Sequence, residues 1–221
     1  MSRRSLVFIC VILLAAVVLQ RQSAAQSSSS SSSSNRDRRT VPAEHSVLDA
    51  GTVNAGAYRN AAFGFTCKIP AGWVLRTEEM NAREEDGAKA DSGKAGRVLL
   101  AAFSRPPEAR AEDVNGSIVV AAESAAAIPG LNEAAQYFEL VNEAAKAQGL
   151  EMDDEPYDFV VGTKTVVRGD FQKDVGTRVM RQSTLVVLAR GYVVSFTFVG
   201  GTEDEVEEFV QGLSFVAPRN K

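Results

Sequence analysis

The chain has 221 residues, 24 Lys plus Arg against 28 Asp plus Glu, one His, two Cys and one Trp, and 45% of it is hydrophobic. That is one ordinary domain with chain to spare, and it is too rich in apolar residues for a disordered protein. A formal charge of −4 lacks the basic signature that phosphate backbones demand, which excludes nucleic acid as a partner, and one His with two Cys leaves few ligands for zinc.

Residues 1–25 have the layout of a secretory signal: Arg3 and Arg4, an apolar run from Leu6 to Leu19, then Ser23-Ala24-Ala25. The run of 14 residues is shorter than the roughly 20 that a helix needs to cross the hydrocarbon core, so cleavage after Ala25 is expected rather than retention as an anchor. Cys10 would leave with it. Loss of Arg3, Arg4 and Arg21 takes the chain to 21 basic against 28 acidic residues, and the remaining thiol, Cys67, has no partner for an internal disulfide. A packed core must therefore hold the exported domain together.

Residues 26–57 are expected to be a tether. Eight serines, Ser27 to Ser34, precede Asn35-Arg36-Asp37-Arg38-Arg39, with nothing apolar to offset the entropy of ordering. Thr40 to Ala57 shows no clear period. The three arginines before it, Arg36, Arg38 and Arg39, are too few to anchor the tether to lipid, so membrane contact is expected only through an uncleaved leader. From Thr40 onward the count is 18 basic against 27 acidic, an acidic domain behind a basic leader.

The globular domain is expected over 58–218. In Phe63 to Ile69 the odd positions are apolar, the period of a half-buried strand, and Pro70-Ala71-Gly72 turns the chain ahead of Trp73-Val74-Leu75. Arg76 to Gly96, charged and without period, reads as a long surface excursion. Strands follow at Arg97–Phe103 and, after the Asn115-Gly116 turn, at Ser117–Ala122. A helix is predicted over Asn132–Gln148, with Leu131, Ala134, Ala135, Phe138, Val141 and Ala145 on its inner face, Glu133, Gln136, Glu139, Glu143 and Lys146 outside, and Gly149-Leu150 as its stop. The last third reads as an antiparallel meander: Phe159–Phe171, a turn at Lys173–Gly176, Arg178–Ala189, a tight turn at Arg190-Gly191, and Tyr192–Val199. In that last strand Tyr192, Val194, Phe196 and Phe198 share one face. Thr202 and Glu205 then form a capping box for a final helix whose buried stripe is Val206, Phe209, Val210 and Leu213.

The segment from Tyr58 through Phe63-Gly64-Phe65 into Ile69-Pro70-Ala71-Gly72-Trp73, the mid-chain helix, and the terminal Gly191-Tyr192 strand with its helix and Leu213-Ser214-Phe215 together resemble the PsbP and DcrB-like superfamily. The resemblance covers about 58–216. It implies an α+β fold, an antiparallel sheet flanked by helices in an α/β/α sandwich, and a non-catalytic binding or assembly role outside the cytoplasm. It transfers no site, because the one histidine, His45, lies in the tether.

The residues themselves supply no catalytic, cofactor-binding or metal-binding set. Cys67 lacks an imidazole and shares the face of Phe63, Phe65 and Ile69, so it reads as core. Glu151 to Glu155, with Asp158, lack the spacing and the glycine of a calcium loop, and Glu84-Glu85-Asp86 reads the same way, as solvated charge. Gly200-Gly201 is followed by Glu203, Asp204 and Glu205, which would repel a phosphate. Arg168-Gly169-Asp170 spells an adhesion tripeptide, but strand-like neighbours place it inside or at the end of a strand. Asn115-Gly116-Ser117 is formally a glycosylation acceptor and reads as a plain turn. The expected function is thus an exported binding or assembly module, periplasmic, secreted or envelope-associated, with an unidentified protein or small-ligand partner and no cofactor. The alternatives are a hydrolase built on two carboxylates brought together across a cleft, and an envelope protein tethered by a retained leader.

Overall fold

In the computed structural model the residues described are 48–87, 96–106 and 114–215. The leader, the Ser tract, His45 and residues 216–218 lie outside them. Among the described residues, twelve strands form two antiparallel sheets. The larger has the order β4 (Val74–Leu75), β5 (Gly96–Phe103), β6 (Ser117–Ser124), β11 (Tyr192–Gly200), β10 (Arg178–Ala189), β9 (Lys164–Val175) and β7 (Glu151–Met152), with β8 (Tyr157–Val161) also paired to β9. The smaller has the order β1 (Thr52–Asn54), β2 (Ala57–Asn60), β3 (Phe65–Lys68) and β12 (Leu213–Phe215). Helices α1 (Thr77–Gly87), α2 (Ala134–Ala147) and α3 (Glu203–Gln211) complete the fold. The class is α+β, as expected.

Strand alternation sorts the large sheet into two faces. One face carries Leu100, Ala102, Ile118, Val120, Leu185, Val194, Phe196 and Phe198, which pack with Tyr58, Phe65 and Cys67 of the small sheet and Val206, Phe209 and Val210 of α3. On the opposite face α2 covers β9, β10 and β11 through Tyr137, Phe138, Val141, Ala144 and Ala145. Beside it, Met80 of α1 packs with Val98, Ala101, Phe103, Val119 and Ala121. The sandwich is therefore helices, sheet, then a second sheet sharing its layer with α3. Strand β11 lies centrally between β6 and β10, and Val194, Phe196 and Phe198 are fully buried.

Several sequence expectations change. Arg76 to Gly96 is not an irregular excursion throughout, because Thr77–Gly87 is helical. Its sequence offers hardly any apolar face beyond Met80, so periodicity has nothing to detect. The folded part begins before Tyr58: Leu48 packs on the core, β1 pairs with β2, the Tyr58 hydroxyl donates to the Ala50 carbonyl at 3.0 Å, and Asn60 donates to the Asp49 carbonyl at 2.9 Å. All three residues of β1 are exposed, so its anchoring lies in side-chain bonds to backbone rather than in an apolar pattern. Phe159–Phe171 is two strands, folded back between Val161 and Lys164, and the next turn sits between Val175 and Arg178. Within Glu151 to Glu155, Glu151 and Met152 pair with Gln172 and Phe171 rather than lying wholly in solvent.

The turn at Arg190-Gly191 forms as predicted, with both residues at positive φ (53° and 80°), the twist that joins antiparallel strands through two residues. At the head of α3 the Thr202 hydroxyl accepts from the Glu205 amide at 3.1 Å. The Glu205 carboxylate reaches back one residue further than expected, to the amide of Gly201 at 2.8 Å. Leu213, predicted in the helix, belongs to β12 and is buried there.

Candidate functional site

The densest polar constellation lies where β8, β9 and α3 meet. Arg168 and Asp170 are two residues apart on β9 and so project from one face, and Tyr157 of β8 stands directly opposite Arg168 in the ladder. Arg168 is only 8% exposed. Its Nε donates to Asp170 Oδ1 at 3.0 Å, its Nη1 donates to Glu207 Oε2 at 2.9 Å, and its guanidinium carbon lies 4.9 Å from the centre of the Phe159 ring. The Tyr157 hydroxyl donates to Asp170 Oδ2 at 2.9 Å. Burial, then the Asp170 acceptor and its charge, push the Tyr157 phenol up to about 12. The arginine is held in its charged form, since its bonds to Glu207 and Asp170 outweigh the cost of burial.

Chemically, this arrangement consumes the two carboxylates. Both are bound to one guanidinium that bridges the sheet to α3, so they form a clasp rather than an acid and base facing each other across a cleft. Nearby, burial raises the Asp153 carboxyl above its usual range, against the opposing pull of Arg181 at 3.8 Å. Among the described residues, no group of three His, Cys, Asp or Glu side chains is placed to hold a metal ion.

The Arg168-Gly169-Asp170 tripeptide is thus inside a strand and clasped, not displayed on a loop. Gly169 lies on the opposite face beneath the ring of Phe138. Cys67 is fully buried in the core beside Phe65, and burial pushes its thiol up to about 12, so it carries no nucleophilic thiolate near neutrality. At Gly200-Gly201, the Glu205 carboxylate already occupies the Gly201 amide. Asn115 uses its side chain to tie the β5–β6 connection: Oδ1 accepts from the Ser104 hydroxyl at 2.9 Å, while Nδ2 donates to the Arg105 carbonyl at 3.3 Å. The side chains of Glu84, Glu85 and Asp86 lie outside the described residues.

Sequence reasoning missed two further features. Glu123, 2% exposed at the end of β6, accepts from the Tyr137 hydroxyl at 3.0 Å, and burial with that carboxylate raises Tyr137 well above the ordinary phenol range. The signal was present as an acid ending an apolar strand, but its mate lies on a helix. A shallow open groove of about 420 Å³ runs between the end of α2 and β7, lined by Asn142, Lys146, Gly149, Leu150, Glu151 and Met152. It carries one lysine and one glutamate and no convergent set of polar groups for a ligand.

No protein-family model and no curated protein matches the chain. Among solved structures, the chain is similar in fold to cyanobacterial PsbP (CyanoP) from Synechocystis sp. PCC 6803, with 15% identity, a TM-score of 0.44, and coverage of 75% of this chain and 96% of that one. It is also similar to LpqN, involved in cell envelope biogenesis of Mycobacterium tuberculosis, with 10% identity, a TM-score of 0.36, and coverage of 69% and 83%. A protein from Bacteroides thetaiotaomicron matches with 12% identity and a TM-score of 0.35 over 72% of this chain, which spans 47% of that one. The resemblance to the PsbP-like fold is one of backbone arrangement, and at such identities it transfers no residue.

Proposed function

We propose that this chain is an exported, non-catalytic binding or assembly module, released behind a signal of 25 residues and acting in the periplasm, at the envelope or outside the cell. One observation carries the reading. Among the described residues, the side chains most capable of chemistry serve the fold: Cys67 is a buried thiol, Asp170 and Glu207 are bound to Arg168, and Glu123 is bonded to Tyr137. A binding module needs no reactive centre, only a stable frame and an accessible surface. The hydrolase alternative has less support, because the carboxylates that meet at α3 share one guanidinium. The tethered alternative keeps the same domain and differs only in whether Leu6 to Leu19 stays on the chain.

Two experiments test this. Fractionation of the native host with N-terminal sequencing should place the protein outside the cytoplasm with Gln26 as its first residue. A start at Met1 in the membrane fraction selects the tethered form instead. The purified chain should hydrolyse none of a panel of ester, amide and glycoside substrates, and an activity abolished by Asp170→Asn or Glu207→Gln would overturn the binding reading.

A further inference from the structure

Among the described residues, no strand pairs with β8 on the side away from β9, and β12 approaches only its turn end, where the Phe215 carbonyl lies near Gly162. Strand β8 pairs with β9 alone, and the register closes on Val161 opposite Lys164 across a two-residue turn. In such a hairpin the closing pair exchanges both backbone hydrogen bonds and the pattern alternates from there. Val161, Phe159 and Tyr157 therefore bond inward to β9, while the amides and carbonyls of Asp158 and Val160 point outward. Among the described residues no backbone bond takes those outward groups up.

Apolar side chains reach the surface along this edge. Val160 is 65% exposed and Tyr157 43%. Phe159, half-buried, packs edge-on to Tyr157 with ring centres 6.4 Å apart and is backed by Arg168. The clasp thus stiffens the strand from behind, which lowers the entropy lost when something pairs with it. The charge along it is of one sign: Asp158 projects within the strand, with Asp154 and Glu155 exposed just before it. A second copy would bring the same acids with it, whereas a Lys or Arg directly opposite Asp158 makes a favourable cross-strand pair.

We propose that β8 is a strand-addition site that receives an extended segment of a partner protein, alternating apolar residues with Lys or Arg. Backbone bonds to Asp158 and Val160 give affinity, while Tyr157 and Phe159 on one face select apolar side chains and the Asp158 carboxylate on the other selects basic ones. This deepens the binding reading and rests on it.

The probe is a labelled peptide of about eight residues alternating Val and Lys, with a Val-Glu counterpart, titrated by fluorescence anisotropy onto the full chain. The Lys peptide should bind at least about tenfold tighter than the Glu peptide. Val160→Pro removes only an outward amide, since edge strands accept proline where no ladder bond is lost, and it should weaken the Lys peptide by about tenfold or more. Asp158→Lys, which leaves the backbone intact, should reverse the preference between the two peptides. Equal binding of both peptides, or binding unchanged in both variants, overturns the site. So does a dimer of the wild type, seen by sedimentation, that Val160→Pro dissociates, because the occupant is then a second copy. If cross-linking in envelope fractions still finds the same partner with Val160→Pro, the edge is wrong and the binding reading stands. If the wild type takes neither peptide nor partner, both fall.

Discussion

The ring of Phe138 occupies the space where a side chain on Gly169 would begin: a Cβ there would lie 2.5 Å from Phe138 Cε1 and 3.0 Å from Cδ1. The middle residue of the tripeptide is small because α2 seats the buried phenyl ring of Phe138 against β9 at that point. Gly169→Ala should therefore cost about 1–3 kcal/mol by overpacking. In a double variant with Phe138→Leu most of the alanine penalty should vanish, which a urea denaturation cycle measures directly. Additive penalties would show that the ring and the glycine do not share that space.

On the other face, Arg168→Met should destabilise by roughly 3 kcal/mol, the low end for breaking a buried ion pair, because Asp170 and Glu207 keep 29% and 38% of their side-chain surface in water. Arg168→Lys should recover little of this, since one ammonium cannot direct donors toward β9 and α3 at once. Thermal melts of the two variants check it. Full recovery with lysine would mean that only the charge matters.

Cys67 and Tyr137 give the domain an alkaline limit. The Cys67 thiol is raised from 9.0 to about 12 by burial, and burial with the Glu123 carboxylate raises Tyr137 well above the ordinary phenol range. Both are acids whose folded pKa exceeds the unfolded one, so their contribution is complete below pH 9 and is lost as pH climbs through the folded values. For Cys67 alone the loss is on the order of 2 kcal/mol midway through that window. The urea midpoint of the wild type should fall from pH 9 upward, and Cys67→Ala should fall less steeply. At pH 8, thiol reagents should label Cys67 only as fast as the protein unfolds.

At the start of α3, Thr202→Ala should cost about 1 kcal/mol, because the Glu205 amide loses its acceptor. Denaturant titration of that variant beside the wild type reads the loss.

Much of the frame was legible where a single element carries its own pattern. Arg178–Ala189 and the turn that follows are alternation and a Gly-containing pair, and both are local. The helix before Gly149 was legible in place and in most of its inner face, since Phe138, Val141 and Ala145 are buried, but Ala135 is exposed while Tyr137 and Ala144 face the sheet. Small alanines mark both sides of that helix, so their spacing does not settle which face turns inward. Helix α1 and strand β1 stayed hidden because neither has an apolar face. The clasp was half legible, since Arg168 and Asp170 are strand mates, but Glu207 is 39 residues further along on another element. No local rule joins a strand to a helix at that distance, and the meeting is set by how α3 folds back over the sheet.

The most direct test is site-specific photo-cross-linking in the native host. A photoreactive residue at Val160 should give one discrete adduct whose cross-linked segment, located by mass spectrometry, alternates apolar and basic residues. The same residue at Val53, another exposed apolar position on the far sheet, should give none. No adduct at Val160, or the same adduct at both positions, would contradict the account of this domain as a binding module that works through β8.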